Sequence, residues 1–218
     1  MNIPSDLLPA LEELPLFPLH QAVLFPGALL PLHVFEPRYR RLVTDVLDSH
    51  GTLSIPHIVD PNADPSGEPA IADVAGLGTI IKHQQLPGGR FNIVILGRAR
   101  VQLEELDFSP PYRRAKATIL AVDDEGQVPE IEFAALQAAA GSFMQLVRQR
   151  DPDFDLTIPK DAPPGTVTDA FAAHLVISPR ARQRALETLD LRSRMRHLTE
   201  VLTVQRATLS PTDDQQLN

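Results

Sequence analysis

Apolar positions in roughly the first 125 residues fall in short runs broken by proline and glycine, whereas in the remainder they recur at helical spacing. Leu14-Pro-Leu-Phe-Pro-Leu19 and Ala28 to Phe35 are β-favouring runs punctuated by proline, which suits edge or bulged strands because proline donates no ladder hydrogen bond. Phe25-Pro-Gly27 is a turn signal between them. From Glu36 to His50 the period changes: Tyr39, Leu42, Val43, Val46 and Leu47 share one helical face, Pro37 suits a first helical turn and Gly51 a stop. Asp60 to Pro69, rich in Pro, Asp, Asn, Ser and Gly, reads as an exposed, mobile loop. Val74 to Gln85 is predicted as a strand, followed by a Pro87-Gly88-Gly89 turn. Phe91 to Leu96 carries apolar residues on both faces, which predicts a central strand. Gly97 then permits a bend or bulge into Val101 to Leu106. Tyr112 to Val122 supplies another strand, closed by the acidic turn Asp123-Asp-Glu-Gly126. This much strand with one embedded helix predicts a strongly bent sheet or small barrel.

The second part starts at Pro129 and reads as helix to about Arg150, with Phe133, Leu136, Ala140, Phe143 and Val147 as its buried stripe. A Pro-rich connector, Asp151 to Gly165, leads to a shorter helix from Val167 to Ile177, with Ala170, Phe171, His174 and Leu175 inward. Ser178-Pro179 is a helix start, since serine can accept from free first-turn amides and proline there forfeits no helical bond. Leu186, Leu189, Leu191, Met195, Leu198 and Leu202 follow at helical spacing, with Asp190 marking a break and capping the last helix. The expected division is a β domain over residues 11–125, a helical bundle over 126–208 and a frayed polar tail over 209–218.

Composition narrows the function classes. The 218 residues are 43% hydrophobic and 22% charged, as in ordinary soluble globular chains. The absence of cysteine excludes a disulfide, a thiolate nucleophile and a thiolate metal site. A net charge of −8 opposes nonspecific nucleic-acid binding, which depends on basic surface displacing phosphate counterions. Met1 to Ala10 contains Asp6 and no Lys or Arg, unlike a secretory leader, and no apolar run approaches a membrane span. The expected location is the cytoplasm, with no membrane partner.

Taken in order, Leu14-Pro-Leu-Phe-Pro-Leu19, Val23-Leu-Phe-Pro-Gly27 and Leu30-Pro-Leu-His-Val-Phe-Glu-Pro-Arg-Tyr-Arg40 resemble the opening signature of the Lon protease amino-terminal, substrate-binding domain family. Gly78-Thr79, Gly89-Arg-Phe91, Gly97-Arg-Ala-Arg100 and Pro111-Tyr112 follow in that family's order, as do Gln183, Leu186-Glu187, Leu189, Arg194-Met195 and Leu198. The chain looks like a stand-alone, bacterial-type member, matching over roughly residues 11–205. The resemblance implies an α+β fold: a PUA-like, strongly bent sheet or pseudo-barrel with one embedded helix, then a carboxyl-terminal helical bundle. It also implies a noncatalytic polypeptide-binding module in protein quality control, an adaptor or chaperone-like protein. Its partners would be unfolded or extended polypeptide segments and a protease or other protein, and no cofactor is called for. The phosphate-binding Gly-x-x-x-x-Gly-Lys-Ser/Thr loop is missing, and Lys82, Lys116 and Lys160 stand in no Ser-Lys protease context, so no enzyme activity is expected.

The most distinctive polar cluster is Phe35-Glu36-Pro-Arg38-Tyr39-Arg40, and two readings of it are open. In one, Arg38 and Arg40 hold a peptide carboxylate or backbone while Phe35 and Tyr39 form an apolar wall. In the other, Glu36 caps the helix, Tyr39 packs in the core and one arginine ties the helix to the sheet. His20, His33, His57 and His83 match no metal-ligand spacing, and Ser54, Ser142 and Ser178 lack a nucleophile-elbow setting. A hydrolase with an unrecognised His and carboxylate site is the third-ranked function. The second is an RNA-binding PUA-like module, which would use Arg98, Arg100, Arg113, Arg114 and Lys116, unless Glu104, Glu105 and Asp107 balance them on a solvated sheet face.

Overall fold

A computed structural model describes residues 6–60, 69–122 and 128–209, and its chain divides into two compact units, Met1–Val122 and Asp123–Asn218. The acidic turn at 123–126, most of the loop at 60–69 and nearly all of the tail lie outside the described residues.

The first unit is an antiparallel six-stranded sheet built from β1 (Leu14–Pro15), β2 (Leu29–Val34), β3 (Thr52–Ile55), β4 (Val74–Leu86), β5 (Arg90–Glu105) and β6 (Arg114–Ile119). The order is β1-β6-β5-β4-β3. Because β5 is 16 residues long, it serves two neighbours on one side: β2 pairs with Phe91 to Leu96 and β6 with Val101 to Glu105. The run with apolar residues on both faces is thus central, between β2 and β4. The bend or bulge expected at Gly97 is a register shift inside one continuous strand: Gly78 pairs with Gly97 and Leu77 with Ala99. The sheet does not close into a barrel. Instead the proline-punctuated segment after β1 runs beside the chain after β3, through isolated parallel bridges Leu16 to Ser54 and Leu19 to His57. Phe17 N donates to the Ser54 carbonyl at 2.9 Å and Leu16 N to the Arg113 carbonyl at 2.9 Å, so this segment lies between the two ends of the sheet. Pro15 and Pro18 limit how much regular ladder it can form.

Helix α1 (Pro37–Leu47) buries Tyr39, Leu42, Val43 and Val46 in a core shared with Phe17, Val34, Leu53, Phe91, Ile93 and Ile95. A second cluster gathers Leu7, Leu14, Leu16, Ala75, Leu77, Val101 and Ala115. The chain after Val23 crosses the sheet where side chains are missing: a Cβ on Gly76 would stand 2.0 Å from the Leu24 carbonyl oxygen, and one on Gly97 2.0 Å from that of Phe25.

The second unit comprises α2 (Glu130–Arg150), α3 (Pro164–Leu175), α4 (Pro179–Glu187) and α5 (Leu191–Leu209). Its core takes Leu136, Ala140 and Phe143 from α2, Val167, Phe171 and Leu175 from α3, Leu186 from α4, and Leu191, Met195, Leu198 and Leu202 from α5. Ser178 Oγ accepts from Ala181 N at 3.3 Å, and Asp190 Oδ1 accepts from Ser193 N at 2.8 Å, so both helix starts are capped by the residues whose chemistry demands it. His174, expected inward, is exposed. Arg194 is fully buried and meets Asp169 at 3.2 Å, while its Nη1 donates to the Thr188 carbonyl at 2.8 Å. Among the described residues no helix is long and apolar enough to cross a membrane.

Candidate functional site

The first unit contains a cleft of about 420 Å³. One wall comes from the segment after β1 (Leu16, Pro18, Leu19 and His20), a second from the start of α1 (Glu36, Arg38 and Tyr39). A third comes from the β5–β6 connector and its continuation (Phe108, Pro111, Tyr112 and Arg113), with Ile58 and Pro69 completing it. Non-local pairing makes the site: the Leu16 to Arg113 hydrogen bond brings residues nearly a hundred positions apart onto facing walls. Most of the lining is apolar or aromatic. Proline contributes rigid surface that loses little conformational freedom on binding and offers no N–H of its own.

The helix start divides between the cleft and the scaffold. Tyr39 stacks on Phe17 with ring centroids 4.1 Å apart and planes at 14°, and burial, ahead of its charged neighbours, raises its phenol pKa. Arg38 spreads over the Tyr39 ring at 4.5 Å and ion-pairs with Glu36 at 3.0 Å. Glu36 occupies the N-cap position, yet its side chain makes no capping hydrogen bond, because the carboxylate turns to Arg38. Arg40 points elsewhere, donating through Nη1 to the Gly88 carbonyl in the turn between β4 and β5. Phe35 is 62% exposed beside His33 and does not line the cleft. Thus Glu36, Arg38 and Tyr39 meet in one cavity, and Phe35 and Arg40 lie outside it.

Arg113 is committed. Its Nε and Nη2 donate to the two Glu105 oxygens at 2.7 and 2.5 Å, and Nη1 donates to the Pro69 carbonyl at 2.7 Å. Tyr112 separates the cleft from a second cavity, also about 420 Å³, lined by Glu12, Glu13, Asp45, His50 and Arg114 among others. Its hydroxyl donates to Asp45 at 2.9 Å; burial first, then this bond, raises its pKa. His50 Nδ1 accepts from Thr52 N at 3.1 Å, and burial lowers the ring's pKa.

The basic residues considered for nucleic acid do not form an open strip. Arg100 is 2% exposed, Arg98 pairs with Asp6 at 3.0 Å, Lys116 with Glu12 at 3.3 Å, and Arg114 lies over the Tyr112 ring. Among the described residues no group of three or more His, Asp or Glu side chains is placed to hold a metal ion.

Of the cleft, the sequence singles out only the helix start. Phe108, Pro111, Tyr112, Ile58 and Pro69 carry no local signal of sharing a site, since they are gathered by strand pairing. The repeated Pro-apolar pattern at residues 14–19 and the Pro110-Pro111-Tyr112 run are the cues that could have linked two of the walls.

The profile of the ATP-dependent protease La (LON) substrate-binding domain family matches residues 13–204. Similar curated proteins include a Lon protease of Roseiflexus castenholzii, 30% identical across 91% of this chain and 25% of its own length, and Lon protease 2 of Syntrophobacter fumaroxidans, 30% identical across 89% and 25%. The chain therefore spans about a quarter of these relatives. A crystal structure of a Lon N-terminal domain protein from Xanthomonas campestris shares the fold at a TM-score of 0.63 and 22% identity, covering 86% of this chain and 97% of that one. The N-terminal domain of Mycobacterium avium complex Lon protease does so at 0.63 and 16% identity, covering 88% and 98%.

Proposed function

The chain belongs to the ATP-dependent protease La (LON) substrate-binding domain family, and from that membership we propose that it is a polypeptide-binding module with no bond-breaking chemistry of its own. The observation that carries the reading is the cleft walled by Leu16, Leu19, Tyr39, Phe108, Pro111 and Tyr112. Such a surface suits an extended apolar segment: it is concave, rich in rigid proline and aromatic area, and edged by a few polar groups that can orient a chain. Glu36, Arg38 and Tyr39 act in the cleft. Phe35 adds an exposed apolar contact beside it, and Arg40 holds α1 to the β4–β5 turn. Affinity is modest, because ordering a flexible client offsets much of the gain from burial.

In the finer form of the proposal, the module works in the cytoplasm as an adaptor that holds unfolded clients for a protease. Purified protein titrated against a fluorescently labelled, permanently unfolded model protein tests the reading. Binding in the micromolar range, weakened by Phe108→Asp and unchanged by Ile131→Asp in the second unit, is expected. Both side chains are exposed, at 52% and 80%, so neither change disturbs a core. Absence of binding at high micromolar concentration would refute the proposal.

A further inference from the structure

The cleft's cationic groups are not equally available. Among the described residues its lining has one carboxylate, Glu36, against two guanidiniums, Arg38 and Arg113. Arg113 is 11% exposed and all three of its nitrogens donate to Glu105 or Pro69. Arg38 is different: its side chain is 50% exposed, and both its donations, from Nε and Nη2, go to the same Glu36 oxygen. A guanidinium has five N–H donors, and Arg38 makes no other hydrogen bond among the described residues, so Nη1 and the second Nη2 hydrogen stay open. His20 also lines the cleft, and no hydrogen bond or ion pair engages its ring among the described residues. Open donors therefore stand on the first two walls, with Tyr39 and Leu19 beside them.

We propose that the cleft selects polypeptide segments in which a carboxylate adjoins apolar residues, the carboxylate docking on Arg38 with His20 as a second donor. This deepens the polypeptide-binding reading and rests on it. The chemistry is a planar carboxylate against the free fork of Arg38, a charge-assisted pairing that apolar burial cannot replace. Glu36 orients the fork by holding Nε and Nη2, which leaves the Nη1 side for the ligand. Either a chain's terminal carboxylate or an Asp or Glu side chain supplies the group.

Three amino-terminally labelled peptides with one apolar sequence separate the possibilities: one with a free terminal carboxylate, one terminally amidated, and one amidated but carrying an internal Asp. Fluorescence anisotropy with the full chain reads the affinities. The free acid is expected to bind about tenfold or more tightly than the plain amide, the range of a hydrogen bond to a charged group. Arg38→Gln should abolish that ratio, and Arg38→Lys should restore part of it, because charge remains without the fork. Circular dichroism melts establish that the variants fold. If the internal Asp peptide gains as much as the free acid, any carboxylate serves; if only the free acid gains, the cleft reads chain ends, and both patterns support the assignment. Equal affinity of all three peptides for the unaltered protein would overturn the selectivity and leave polypeptide binding intact. Selectivity that survives Arg38→Gln would overturn the role of Arg38. Failure of all three peptides to bind would overturn both levels.

Discussion

The ring of Tyr39 lies flat against that of Phe17, centroids 4.1 Å apart. The contact joins the helix that supplies the cleft's polar edge to the Pro-flanked segment that supplies its apolar wall. Removing the ring should therefore cost stability and cleft shape together. Tyr39→Ala is expected to destabilise the protein by about 3 kcal/mol or more, the usual scale for truncating a buried aromatic. Tyr39→Phe, which keeps the stack, should cost less than about 1 kcal/mol. Urea denaturation of the two variants checks the difference.

Two glycines should respond to alanine with opposite sign. At Gly97 the added methyl meets the Phe25 carbonyl oxygen at 2.0 Å, a backbone atom that no rotamer change can move aside. Gly97→Ala should cost about 3 kcal/mol, the upper end for an overpacked core. At Gly141, inside α2, the methyl meets nothing within 4 Å. Gly141→Ala should stabilise by about 0.5 to 1 kcal/mol, because alanine loses less backbone freedom in a helix. Denaturation midpoints of both variants against the parent decide the point.

How far the fold could be read in advance follows from how local each signal is. The α1 face and the Ser178 and Asp190 caps are local, and the structure has them where the spacing puts them. β3 went unread because Thr52-Leu-Ser-Ile55 is only four residues long, too short for its alternation of hydroxyl and aliphatic side chains to stand out. Arg194 and Asp169 also went unread, since a buried ion pair looks in sequence like two exposed charges on helical faces. The cleft is the least legible feature. Its walls come from residues 16–20, 36–39, 58, 69 and 108–113, and only the pairing of Leu16 with Arg113 and of the neighbouring segments sets them face to face.

The Arg194–Asp169 pair should behave as a buried pair does when split. Arg194→Met or Asp169→Leu alone leaves the other charge in the bundle core and is expected to cost about 3 to 5 kcal/mol. The double replacement removes both charges and should cost clearly less than the sum. A double-mutant cycle by urea denaturation gives the coupling, and additive losses would mean the two side chains act independently.

Acid should weaken the second unit through Glu132. Arg192 and Arg196 hydrogen-bond its carboxylate and hold its pKa at about 2, below the ordinary 4.5. A depressed carboxylate pKa contributes stability that is complete above the unfolded value and disappears as pH falls toward the folded one. The stability difference between the parent and Glu132→Gln should therefore be constant above about pH 5 and shrink between pH 4.5 and 2. Denaturant titrations across that range measure it. A difference that is flat through the window would mean that Arg192 and Arg196 do not hold the Glu132 carboxylate below its ordinary pKa.

In the function proposed above, a polypeptide client sits in the cleft at the start of α1. Amide hydrogen exchange of the protein with and without a saturating unfolded model protein tests it most directly. Added protection concentrated in residues 16–20, 38–39 and 112–113, with the second unit's core helices unchanged, is the result expected. Binding that leaves those amides as they were and protects a different surface would contradict it.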